Sequence, residues 1–223
     1  MGDDVKTRGQ SKVETSDRIV RAAEVEFAER GFEGAGMKAI SQRADVSQAL
    51  LHYHFGNKDH LYSEVVRRRS KLINAERQAL LEQVDLTASD AVERILDALF
   101  RPPLGPAGGD QSYTRIFGGL IVGRERDRAL VKEFYDPTAQ EFIRALQGAL
   151  PDISQKTAAH AYTLALGTLV VMISRDGRVE RLMGQRKTRD TEEILQGLIT
   201  FAKAGIMALA RKKTDTMETG RKP

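Results

Sequence analysis

The run Ser47-Gln48-Ala49-Leu50 holds residue types suited to reading the edge of a nucleic-acid base. Ser47 can accept a hydrogen bond from an amide of the following turn, so it caps a helix beginning at Gln48. The start of such a helix presents its first-turn side chains to whatever it is pressed against. Gln48 carries an amide that pairs bidentately with N6 and N7 of adenine, and Ala49 and Leu50 are small or apolar enough to meet a thymine methyl. Lys58 stands where a longer helix should begin, joining a positive charge to first-turn N–H groups that have no intrahelical acceptor, which is an arrangement for phosphate. Lys38, on the preceding short helix, is a further candidate for backbone contact.

Other chemistries lack their residues. The chain has 0 cysteines, which excludes disulfides, a thiol nucleophile and cysteine-ligated metal. His52 and His54 are two apart and so face different sides of a helix, and His60 and His160 stand at no ligand spacing; no metal site is expected. G-x-S-x-G and H-E-x-x-H do not occur, and the glycine-rich stretch at 102–109 lacks the Lys-Ser/Thr that a phosphate loop requires. Acids lie along helix faces beside Arg and Lys, the pattern of a solvated surface. The chain is expected to be no enzyme and to need no cofactor.

The elements that must position these residues are helical. Of 223 residues, 41% are hydrophobic and 30% charged, aromatics are 6%, and no alternating β-branched run is bounded by turn residues. The fold class is all-α. A first helix should start at Thr15 or Ser16, carry Ile19, Val20, Ala23 and Phe27 on one face, and stop at Gly31. A second spans Met37 to Ala44. After the break at Asp45-Val46 a third runs from Gln48 to Phe55, with Val46 and Leu51 as a hydrophobic staple. A long fourth helix follows Gly56, with Leu61, Val65, Leu72 and Ile73 inward. Further helices are expected at 88–101, 111–124, 126–149, 155–175 and 190–212, about nine in all, with a loop at 102–109 and a kink or split at Pro137. Residues 1–14 and 213–223 read as flexible ends around a domain at 15–75 and a larger one at 76–212.

Charge is permissive rather than decisive. The net +4 divides evenly, +2 on residues 1–71 and +2 on the remainder, so any nucleic-acid surface must be made by placement. Residues 48–71 hold Lys58, Arg67, Arg68, Arg69 and Lys71 against Asp59 and Glu64, a local +3. The acids of the first residues leave no apolar core for an export signal, and the apolar stretch Ala161 to Ile173 falls short of the roughly 18–20 residues that span a bilayer. A cytoplasmic protein with no membrane partner is expected.

Phe27-Ala28-Glu29-Arg30-Gly31, then Met37-Lys38-Ala39-Ile40 and Ala44-Asp45-Val46-Ser47, then Leu51-His52-Tyr53-His54-Phe55-Gly56-Asn57-Lys58, form an ordered composite. It closely resembles the N-terminal helix-turn-helix domain of the TetR family, over about residues 15–75. The resemblance implies that Tyr53 and His54 contact phosphate or base edges near the end of the recognition helix. It also implies a homodimer on near-palindromic operator DNA, released by a small effector: a repressor, with an activator or a ligand-binding module with a degenerate DNA domain as alternatives. The chain departs from the family at Ala35 and Gly36, where a capping hydroxyl is usual, and at Leu50, where Thr or Ser is common.

In the C-terminal part Tyr113, Phe117 and Ile121 form one stripe, Phe134, Tyr135 and Phe142 a second, and Tyr162, Leu166 and Leu169 a third. The resemblance makes these the lining of an effector chamber. The tyrosine hydroxyls, with Arg115 or Arg144, would orient an amphipathic or hydrophobic effector of acyl or aromatic type. The two terminal helices carry apolar and small residues in excess of what one subunit needs: Ala158, Ala161, Ala165 and Met172 on one, Ile194, Leu198, Phe201, Gly205 and Leu209 on the other. Family members pair such helices into a four-helix bundle, which makes these residues the expected dimer interface.

Overall fold

The computed structural model describes residues 3–109, 111–121, 123–173, 178–184 and 190–218. Eleven α-helices and one 3-10 turn follow one another, and no strand occurs among the described residues. They are α1 (Asp3–Gly34), α2 (Met37–Arg43), α3 (Gln48–Phe55), α4 (Lys58–Leu81), α5 (Ala91–Leu104), the 3-10 turn Pro106–Gly108, α6 (Gln111–Ile121), α7 (Glu125–Phe134), α8 (Asp136–Ala149), α9 (Gln155–Ile173), α10 (Arg178–Met183) and α11 (Thr191–Glu218).

Expected boundaries move where nothing in the chain stops a helix. The backbone is helical from Asp3, so Thr15 and Ser16 lie inside α1 instead of capping it. No proline interrupts 3–16, and the helix propagates back through the segment read as a flexible arm. The same holds at the other end, where α11 runs to Glu218 rather than to 212. Gly31 does break the helix as expected, at φ 66° and ψ 175°, a left-handed conformation suited to glycine. The 126–149 helix divides at Tyr135 with Pro137 in the first turn of α8, and α10 has no counterpart in the expected set.

Pro102 and Pro103 lie in the last turn of α5 instead of opening a loop. Their missing N–H groups leave the carbonyls of Ala98 and Leu99 without the usual donors four residues on. Arg77 Nε donates to the Leu99 oxygen at 3.1 Å, replacing one of them from α4.

The long helix α4 belongs to both halves of the molecule. Its start packs on α1 and α3, and its remainder on α5, α7 and α8. Leu61, Val65 and Ile73 are buried as expected, but Leu72 is exposed, since it falls outside the stripe that Leu61, Val65, Tyr62, Val66 and Ile73 present. Arg67, Arg68 and Arg69 are each paired with acids of this chain. Arg67 and Arg68 bind Glu64, Arg68 also reaches Asp17 and the Ser16 hydroxyl, and Arg69 holds both carboxylate oxygens of Glu24 at 2.8 Å. The pairs to Asp17 and Glu24 tie α4 to α1, and most of the local positive charge is answered within the chain.

Candidate DNA-reading helix and buried aromatic cluster

The turn between α2 and α3 is built from short-range bonds. The Ala44 amide donates to Ile40 O, the Asp45 amide to Gln42 O and the Val46 amide to Ser41 O, with Asp45 at φ 51°. An aspartate tolerates that left-handed conformation better than a branched residue would. Ser47 caps α3, its hydroxyl accepting from the Leu50 amide at 3.1 Å. Leu51 is fully buried and Val46 is packed against the same core, as a staple requires. Arg43 Nη2 donates to Glu29 at 2.7 Å, holding α2 against α1.

With Leu51 anchored inward, Ser47, Gln48, Ala49 and Leu50 are exposed, and Tyr53 is 72% exposed. His54 is half-buried, its ring between Tyr53 and Phe55. Lys38 is exposed on α2. Gly36 caps α2 without a side-chain hydrogen bond, as its type dictates. The Lys58 ammonium donates to the carbonyls of Phe32 at 2.9 Å, Ala35 at 3.1 Å and Glu33 at 3.4 Å, and lies 4.5 Å from the Phe32 ring centre. It therefore closes the end of α1, where carbonyls lack helical donors. The α4 N-terminus keeps its first-turn amides, with the Asn57 side chain accepting from the His60 amide.

The stripes on α6, α8 and α9 converge. Tyr113 and Tyr135 share a 2.5 Å hydrogen bond between hydroxyls, the Phe117 ring packs against both, and Phe142 meets Tyr162. Leu169 is buried, while Ile121, Phe134 and Leu166 are half-buried against the same core. Burial raises the pKa of Tyr113, Tyr135 and Tyr162 above the ordinary phenol value, keeping them neutral donors. Arg115 and Arg144 are exposed and take no part. The basic group among the tyrosines is Arg77, 1% exposed, which sequence reasoning missed. Its signal was an arginine on the inward stripe of α4, four residues after Ile73.

Helix α7 touches α1 and α4 at Phe32 and Tyr62. Arg126 of α7 lies 3.5 Å from the Phe32 ring centre and 5.1 Å from that of Tyr62, and Arg124 binds Glu33 at 2.5 Å. Phe32 thus sits between Arg126 and the Lys58 ammonium at the start of α4, just after α3.

Over residues 19–65 the chain matches the profile of bacterial regulatory proteins of the tetR family, and over 87–205 that of the tetracyclin repressor-like C-terminal domain. The chain belongs to the TetR family. Among its relatives, the HTH-type transcriptional activator FasR of Mycolicibacterium smegmatis is 30% identical over 84% of this chain and 80% of that protein. The HTH-type transcriptional regulator UidR of Escherichia coli K12 is 36% identical over 30% of this chain and 32% of its own length. The TetR-family regulator PfmR of Thermus thermophilus shares the fold at a TM-score of 0.61 and 21% identity, over 83% of this chain and 96% of that one. As a TetR-family protein the chain is a DNA-binding transcriptional regulator.

The expected dimer residues of this TetR protein divide sharply. Ala158, Ala161, Ala165, Ile194 and Leu198 are buried within the subunit, where α9 and α11 pack on one another and on neighbouring helices. That part of the expected interface is corrected: these positions form the inner stripe. Met172 and Leu209 are half-buried, and Gly205 and Phe201 are exposed, Phe201 at 70%. The outer stripe of α9 adds Leu164 at 62% and Val171 at 68%. The alanines permit close approach between helices of one subunit. Both Gln155–Ile173 and Thr191–Arg211 are also long and apolar enough to cross a membrane by length and composition, contrary to the shorter stretch expected, and 33% of each such window is buried.

Proposed function

We propose that two copies of this chain assemble through the outer faces of α9 and α11 and insert their α3 helices into successive major grooves of a near-palindromic operator. The observation that carries the reading is α3 itself: a capped helix, entered through a short hydrogen-bonded turn, whose Leu51 is buried while Gln48, Ala49, Leu50 and Tyr53 are exposed. Gln48 reads adenine, Ala49 and Leu50 meet apolar base edges, Tyr53, His54, Ser47 and Lys38 contact the backbone or its margins, and the first-turn amides of α4 receive a phosphate. Leu164, Val171 and Phe201 support the assembly, since apolar side chains this exposed on adjacent helices favour a partner surface. In that setting the apolarity of α9 and α11 serves subunit pairing, with no membrane partner, and the protein works in the cytoplasm.

A small amphipathic or hydrophobic effector in the tyrosine-lined chamber shifts the population of dimers away from the spacing that fits two half-sites, roughly 34–36 Å apart. Phe32, held between Arg126 and Lys58, couples the chamber half to the reading half. Release of DNA makes the protein a repressor. The name of the Mycolicibacterium relative supports a second reading, an activator on the same architecture. The domain limits 15–75 and 76–212 stand as part of this proposal.

Footprinting of the DNA around its own gene tests the reading. A salt-sensitive, two-fold symmetric footprint is expected, and Gln48→Ala should lose about 1–3 kcal/mol of discrimination at one base position per half-site. Binding of ligands without any footprint would instead mark the DNA domain as degenerate.

A further inference from the structure

Arg77 is the one fully buried arginine among the described residues, and its surroundings do not answer its charge. Its Nε bond to Leu99 O explains why a donor is needed there, because residue 103, four positions on, is proline. That bond uses only one of the five N–H groups of the guanidinium. Nη2 is buried and has no hydrogen-bond partner among the described residues. The titratable groups that act on Arg77 are Tyr162, Tyr135 and Tyr113, with no carboxylate among them. Elsewhere on α4 the chain treats its arginines differently: Arg67 and Arg68 have Glu64, and Arg69 has Glu24. A guanidinium taken out of water is strongly unfavourable unless an anion and further hydrogen bonds compensate it.

We propose that Arg77 is an anion subsite within this aromatic cluster and that its ligand is an apolar monocarboxylate. The proposal rests on the effector-responsive reading above and specifies the chemistry of that effector. One buried positive charge is balanced by one negative charge, whereas a phosphate dianion would leave a net charge out of water. A planar carboxylate also matches the guanidinium fork. The Tyr113–Tyr135 pair adds a donor, because whichever hydroxyl accepts the 2.5 Å bond retains its own O–H for a carboxylate oxygen. Phe117, Phe142 and Tyr162 supply aromatic walls for the apolar body.

The test uses the full chain, freed of bound small molecules, and matched acid and alcohol probes: decanoate with decanol, and 2-naphthoate with 2-naphthalenemethanol. Calorimetric titration gives affinity, and release from the footprinted DNA gives response. At least one acid should bind about tenfold or more tighter than its alcohol, the size of a charge-assisted hydrogen bond. The straight-chain and aromatic pairs separate the two sources of the same carboxylate chemistry. Arg77→Met should abolish the preference while retaining helical circular dichroism. Tyr135→Phe, which keeps the ring, should lose part of it, and stands as the test if Arg77→Met does not fold. Equal binding of acid and alcohol, or a preference that survives Arg77→Met, overturns the proposal while leaving the effector-responsive reading intact. Binding of none of the four probes, with the footprint unchanged, overturns both. A clear acid preference without any footprint supports this subsite and refutes the DNA-binding role.

Discussion

Replacing Arg77 by methionine sets two structural costs against each other, and their difference has a sign that can be measured. Removing the guanidinium relieves a buried charge with no acid in reach, which costs several kcal/mol per ion after relaxation. Against this, the Leu99 carbonyl loses its donor, and the α5 backbone cannot replace it because Pro103 has no N–H. An unsatisfied buried carbonyl costs about 1–3 kcal/mol. Methionine fills most of the volume of the arginine stem and adapts to an irregular site, so the cavity cost is small. The ligand-free variant should therefore be more stable than the parent by about 1–3 kcal/mol, with Tm rising by about 2–4 °C per kcal/mol for a chain of this size. Differential scanning calorimetry at pH 7 on ligand-stripped protein measures it. A fall of several degrees would mean that the charge is compensated within the chain, and the reasoning behind both the stability gain and the anion subsite would be wrong.

Three other perturbations have definite outcomes. Lys58→Met should lower stability by about 1–2 kcal/mol through loss of charge-assisted bonds to the end of α1; an unchanged Tm with a flatter salt dependence of DNA binding would support the phosphate clamp. Phe201→Glu should shift the protein toward monomer in sedimentation velocity and weaken operator binding, with the monomer fold intact, because Phe201 is exposed in the subunit. The pKa of Glu64 is lowered by its hydrogen bond from Arg67, so its contribution to stability is present above the ordinary carboxylate value and lost as pH falls through the lower folded value. Glu64→Gln should accordingly flatten the acid limb of stability against pH, and an identical limb in both proteins would contradict the pairing.

The reading helix was legible because its determinants are local. Ser47 as cap, Val46 and Leu51 as staple and Gly56 as stop act within a few residues of one another, and each is found in that role. The aromatic cluster was legible in outline, since helical periodicity brings Tyr113 with Phe117 and Phe142 with the core. Arg77 was not, because a lone arginine on a long helix gives no sign of its depth until α5, α6, α8 and α9 close over it.

Sequence by itself determined the all-helical class, the turn that sets α3 and the residues it exposes, for these depend on backbone conformation and contacts a few residues apart. Tertiary structure alone decided which face of an apolar helix turns inward. It buried Ala158, Ala161 and Ala165 and left Leu164, Val171 and Phe201 outside. It also directed the Lys58 ammonium to carbonyls and Arg68 and Arg69 to acids on another helix. A helix with apolar residues all round has no intrinsic inside, and a charge has no partner until distant segments meet; both are settled only by the packing of the whole chain.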